Sequence, residues 1–289
     1  MDALRWDTKP QLRAPMMIAA FEGWTDAGGA ATGAASYLAT QWQAQQFADI
    51  DAEEFYDFTA RRPQVSLDGN EVREIVWPPN RFLATSNGDA PDVVILIGTE
   101  PHLRWRTFCD CVRRVAVDLQ VGSVFTLGSM LGDVAHTRPT PVRASSADPD
   151  LCQRLGMNRP QYQGPTGIIG VLQDTFAEAA IPVASIMGQV SHYVSNMPSP
   201  KATLAIVNRV TALLGVGVST SELETAASAY ERQVSQAVEA DSDIAGYVRE
   251  LEERADRTQS DDLFGDLPSG DALAAQLEQF LRDQDESSG

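Results

Sequence analysis

Only three cysteines occur among the 289 residues, Cys109, Cys111 and Cys152. Their odd number and the lack of a Cys-x-x-Cys pair exclude a disulfide framework and a zinc-type ligand set, and imply reduced thiols. Cys109 and Cys111 stand two apart on an expected helix, so they should point to different faces. No apolar run approaches the length of a bilayer-spanning helix, and Met1 to Arg13 carries charge where a signal peptide needs an apolar centre. A cytoplasmic location is therefore expected. Positive charge is scarce, with 22 Lys+Arg against 40 Asp+Glu and a net charge of −18. Such a balance speaks against nucleic acid or an anionic membrane as partner. The residue patterns of familiar catalytic sites are missing too: there is no G-x-S-x-G, no H-E-x-x-H and no Walker sequence. No catalytic residue is assigned on that basis, and neither a metal nor a cofactor is expected.

What is present suffices for a folded domain. A hydrophobic content of 43% over this length can bury a sizeable core. The acidity is uneven. From Ser219 onward there are 18 Asp/Glu and 5 Lys/Arg, so −13 of the net charge lies there, and residues 1–218 carry only −5. This shift divides the chain into an α/β domain over 1–218 and an acidic helical region over 219–289.

The stretch from Pro15 to Leu38 organises the domain. Met16 to Phe21 is short and uniformly apolar, as in a strand buried on both faces of a parallel sheet. The run breaks at Glu22-Gly23, and Asp26 is placed to cap a helix running towards Trp42. Gly28, Gly29, Ala30, Ala31, Gly33, Ala34 and Ala35 bring little bulk. Close helix-to-sheet packing is the favoured reading; a phosphate cradle at the helix start is the alternative. Further apolar strands are expected at Asp92 to Gly98, Ser123 to Leu127 and Pro182 to Met187. Helices are expected at Trp105 to Leu119, from an opening at Gly164-Pro165-Thr166-Gly167 through about Ala180, and at Lys201 to Leu214. A small antiparallel excursion should lie between Asp68 and Ala84. Alternation of this kind predicts an α/β fold, a parallel or mixed sheet with helices on both faces, plus a C-terminal helical appendage. In the acidic region, Leu223, Tyr230, Val234 and Val238 recur at helical spacing, and Asp241 is placed to cap a second helix. Thr258 to Gly270 reads as a linker, with a last amphipathic helix over Asp271 to Arg282.

In an open α/β sheet, ligands bind beyond the carboxyl ends of the strands. The residues just past the four apolar strands include Glu22, Trp24 and Asp26, then Glu100 and His102, then Ser129, His136 and Arg138, and finally His192 and Tyr193. All three histidines fall in this set, which is the candidate crevice. Polar residues gather in loops in any case, so clustering alone assigns no chemistry.

The ordered set FEGWTDAGGAATGA, GTEP, LGSMLGDVAHTRPTPV, YQGPTGIIG and SHY with PSPKATLA resembles the proteasome assembly chaperone 2 family, in its bacterial and archaeal branch, over about Ala14 to Leu214. The resemblance implies a phosphorylase/hydrolase-like architecture, self-association with a trimer preferred, and a role with a protein client. It implies no catalytic residue. Some relatives carry a hydrophobic-Tyr-x ending that docks on proteasome core rings; this sequence ends Glu286-Ser287-Ser288-Gly289, so docking by that route is not expected. The alternative function is a small-molecule enzyme, hydrolase or phosphorylase-like, with its site at the strand ends.

Overall fold

The computed structural model describes residues 2–67, 73–86, 88, 91–195 and 197–264, with side chains to residue 257. Among them the strands are β1 (Leu4–Trp6), β2 (Met16–Glu22), β3 (Gln45–Ile50), β4 (Gln64–Leu67), β5 (Arg73–Val76), β6 (Asn80–Thr85), β7 (Val93–Thr99), β8 (Ser123–Gly132), β9 (Val142–Ser145) and β10 (Val183–Ser191). The helices are α1 (Ala30–Gln41), α2 (Trp105–Asp118), α3 (Pro149–Leu155), α4 (Ile168–Glu178), α5 (Pro200–Leu214), α6 (Ser221–Glu239) and α7 (Ser242–Phe264). Two compact units divide the chain after Ala237, so the first unit takes in most of α6.

The main sheet runs β1-β3-β6-β7-β2-β8-β10-β9. Its centre, β7-β2-β8-β10, is parallel and consists of the four apolar strands legible in the sequence, while β1, β3, β6 and β9 pair antiparallel. Uniform apolarity has a direct cause: alternate side chains of β2 enter different cores. Met17, Ala19 and Phe21 join the helices α2 and α4 through Phe108, Val112, Ile168, Leu172 and Phe176. Ile18 and Ala20 meet α1 and α5 through Ala31, Ala34, Ile206 and Val210. Each large side chain sealed this way contributes about 1.5–3 kcal/mol.

Several elements differ from the sequence reading. β1 and β9 are edge strands too short to give a periodic signal. β6 joins the main sheet instead of the antiparallel excursion, which is the β4–β5 pair; residues 68–72, between those two strands, lie outside the described residues. β8 continues past Leu127 to Gly132 because β10 pairs with it along its whole length, up to Ser191 opposite Gly132. Cys109 and Cys111 are both buried in one core, against the expectation of separate faces. The Asp2–Arg114 ion pair, at 2.6 Å, brings the N-terminal segment over that flank of α2. Burial pushes the Cys109 thiol up to about 12, as suits a reduced, unreactive group.

In the second unit, Asp241 caps α7 by accepting from the amides of Asp243 (3.0 Å) and Ile244 (3.2 Å). α7 continues through 258–264, where the linker was expected to begin. The helix expected at Asp271 to Arg282 lies outside the described residues. Among those residues no helix is long and apolar enough to cross a membrane.

Candidate functional site at the strand ends

Connections leave β2 towards β7 on one side and, through α2, reach β8 on the other, so the carboxyl end of β2 is where a ligand crevice is expected. The loop there is held by two carboxylates. Glu100, just past β7, accepts from the Trp24 amide at 3.0 Å through Oε2 and from the Ile168 amide at 2.8 Å through Oε1. It thereby ties the β2 loop to the first turn of α4, where its charge complements the helix dipole. Two glycines make room for it. A Cβ on Gly23, whose φ is +151°, would meet Glu100 Oε2 at 2.7 Å, and one on Gly167 would meet Oε1 at 2.8 Å.

Asp26 serves α1 in the same way across a short 3-10 turn at Ala27–Gly29. Its Oδ1 accepts from the amides of Ala31 (2.9 Å) and Thr32 (3.1 Å), and its Oδ2 from the Thr32 hydroxyl at 2.5 Å. Burial pushes this carboxyl above its ordinary value, with the Thr32 hydroxyl and the Thr32 and Ala31 amides pulling back. The amides a phosphate would need are thus occupied by a side chain of the protein itself. Gly33 packs against Thr203 of α5, where a Cβ would stand 3.1 Å from the hydroxyl, so small residues serve helix–helix approach as well as helix–sheet packing.

Ser129 continues the same lattice: its amide donates to Thr25 O (2.8 Å) and its hydroxyl to Ala27 O (2.9 Å). Glu22 forms an exposed ion pair with Arg61 at 2.5 Å. His136 is buried and engaged at both ring nitrogens, Nδ1 with the Tyr193 hydroxyl at 2.8 Å and Nε2 with Ser235 Oγ at 3.0 Å. The backbone amide of His136 donates to the same Tyr193 oxygen at 2.8 Å. His192 stacks edge-on against Tyr193 at 5.6 Å and lies 3.3 Å from Asp133. Arg138 places its guanidinium 3.4 Å from Thr137 Oγ1. His102 goes elsewhere: its Nδ1 accepts from the Asp57 amide at 3.0 Å and its ring stacks on Tyr56.

The structure therefore brings together Trp24 with Glu100, Asp26 with Ser129, and His136 with His192 and Tyr193; His102 packs separately. Several participants had no sequence signal. Lys201 donates to the carbonyl of His136 and to Glu231 Oε2 (2.5 Å), joining α5 to α6. Asn80 and Tyr56 close the end of β7: Tyr56 donates to Thr99 O at 2.5 Å, and Asn80 Nδ2 donates to the Tyr56 oxygen at 2.6 Å. These contacts span 24 to 65 residues of chain, beyond the reach of any local pattern. The one available cue was position, Asn80 following Pro78-Pro79.

Large apolar side chains stand exposed at this same end. Trp24 is 61% exposed and Leu103 51%, and Met130 and Leu131 of β8 are each 48% exposed.

The PAC2 family model matches residues 20–238, so the match continues into α6. A PAC2 family protein from Streptomyces avermitilis is 44% identical, over 81% of this chain and 99% of its own, with a TM-score of 0.76. A proteasome-assembly chaperone homologue from Mycobacterium tuberculosis is 40% identical, over 81% and 99%, with a TM-score of 0.73. An archaeal proteasome activator from Pyrococcus furiosus is 18% identical over 81% and 97%, with a TM-score of 0.66, a likeness of fold alone. A comparison with curated proteins finds no match.

Proposed function

The chain belongs to the PAC2 family, and on that premise we propose that it is a non-enzymatic, self-associating module that binds a protein client, in the manner of an assembly chaperone. One observation carries this reading. At the strand ends Asp26, Glu100, Ser129 and His136 are spent on the fold, while Trp24, Leu103, Met130 and Leu131 face solvent. Apolar side chains exposed among satisfied polar groups suit a protein surface better than a reacting small molecule. General acid–base work needs a group poised to exchange a proton with substrate. Asp26, Glu100 and His136 hold backbone amides or hydroxyls instead.

The names of the Mycobacterium and Pyrococcus structures make the proteasome core particle the client to test. The residues committed to it are Trp24, Met130 and Leu131, and the protein acts in the cytoplasm as a trimer. The purified chain is mixed with proteasome α subunits and co-elution is measured. Complex formation is expected, weakened about tenfold or more by Trp24→Ala with Met130→Ser, as for anchors at the centre of an interface. Failure to co-elute at micromolar concentration overturns the client. Binding unchanged by the double variant overturns the site.

A further inference from the structure

The antiparallel pair β4–β5 stands apart from the main sheet, and all eight of its residues are exposed. Its register sets Val65 opposite Ile75 and Leu67 opposite Arg73. Alternation therefore puts Val65, Leu67, Ile75 and, beyond the strand, Trp77 on one face, with Ser66 and Glu74 on the other. That apolar row is 55%, 66%, 49% and 45% exposed. Trp77 is fixed by edge-on packing against Phe58, with centroids 4.8 Å apart. Two strands alone are marginal in water, and this pair leaves both outer edges unpaired among the described residues.

Charge identifies what covers the row. Residues 61–81 hold four arginines and three acids, a net +1 within a chain of −18. Arg62, Arg73 and Arg81 are exposed, and among the described residues none of the three is in an ion pair. An apolar strip flanked by uncommitted arginines fits an acidic protein surface. The chain itself is such a surface: α6 exposes Glu222, Glu224 and Glu239. Elsewhere two copies of so acidic a chain repel, and here they do not.

We infer that β4–β5 is the surface through which one copy docks onto the acidic surface of a second copy of this chain. This rests on the self-association proposed above. The contact joins two different patches, so it is head-to-tail, the kind that forms a ring when its rotation closes, as the proposed trimer requires.

The test is light scattering of the full chain and of two surface variants, Leu67→Asp with Ile75→Asp and the single Arg73→Glu, at about 10 µM, where a specific interface is populated. The wild type is expected at a multiple of 31.3 kDa. The double variant is expected at the mass of one chain, and Arg73→Glu with a dissociation constant raised about tenfold, more at low salt than at high. Both side-chain sets are exposed, so cooperative unfolding should persist. Hydrogen exchange of the wild type keeps the inference testable if the double variant misfolds: residues 64–67 and 73–76 should gain protection with protein concentration. An oligomeric wild type with oligomeric variants, or no concentration-dependent protection, overturns the β4–β5 contact and leaves self-association standing. A wild type that is itself monomeric overturns both.

Discussion

The two faces of the central sheet are covered by opposite means. On one, bulk fills the space: Phe108 of α2 meets Phe21 and Phe55 edge-on, with centroids 5.8 and 5.4 Å apart. On the other, absence of bulk lets the backbone come near: Ala30, Ala31, Ala34 and Ala35 of α1 are wholly buried, and Gly33 lies against α5. Each face also pins the start of a helix with one carboxylate from the strand-end loops, Glu100 for α4 and Asp26 for α1. The first is partly open to solvent, the second buried. A face built from large side chains fails by losing atoms, and a face built from small ones fails by gaining them.

The largest effect is expected on the aromatic face. Phe108→Ala leaves a void lined by Phe21 and Phe55, and should cost about 3–5 kcal/mol in denaturant unfolding. A loss near 1 kcal/mol would mean that the face collapses onto the gap. Enlargement should hurt the other face instead. Ala34→Leu, by forcing α1 off the sheet, should cost about 1–3 kcal/mol, and a neutral result would break the contrast between the faces. Third in size is Glu100→Ala, which strands the Trp24 and Ile168 amides. The cost is about 1–2 kcal/mol, since water reaches this half-exposed site and replaces part of what is lost. It should also loosen Trp24, so amide exchange at Trp24 and Ile168 is the direct readout; unchanged protection there would remove Glu100 from its bridging role.

Which parts were legible in the sequence follows from the range of the interactions. The four parallel strands could be read because burial on both faces leaves a short, mainly apolar run at the heart of each of β2, β7, β8 and β10. The α1 turn could be read because Asp26 and its glycines act within six residues of one another. The edge strands β1 and β9 and the full length of β8 could not, because they exist through pairing with distant chain. Family membership was carried by the order of loop motifs. Most of the strand-end residues do follow a strand, but Glu22 ends β2 and Ser129 lies inside β8, and the partners were not visible: Glu100 meets Ile168 across 68 residues, and His136 meets Ser235 across 99. Nothing local distinguishes a carboxylate that will cap a distant helix from one free to act on a ligand.

The smallest and most specific effect concerns the buried carboxylate. Asp26→Asn keeps an oxygen for the Ala31 and Thr32 amides and sets an amide nitrogen opposite the Thr32 hydroxyl, so at neutral pH the change should stay below about 1 kcal/mol, against about 0.5–2 kcal/mol for Asp26→Ala. The pH dependence separates packing from charge. Burial raises the Asp26 carboxyl above 3.8, so the folded state holds this proton more tightly than the unfolded chain does. The stability gained by protonation is fully present below about 3.8, the unfolded value, and is lost as pH rises through the folded one. The stability difference between wild type and Asp26→Asn should therefore move in favour of wild type as pH falls from 7 towards 4. Unfolding of both proteins by denaturant across that range measures it. A difference that stays flat, or that favours wild type more at neutral pH, would mean that the three hydrogen bonds outweigh burial and that α1 is pinned by charge as openly as α4 is.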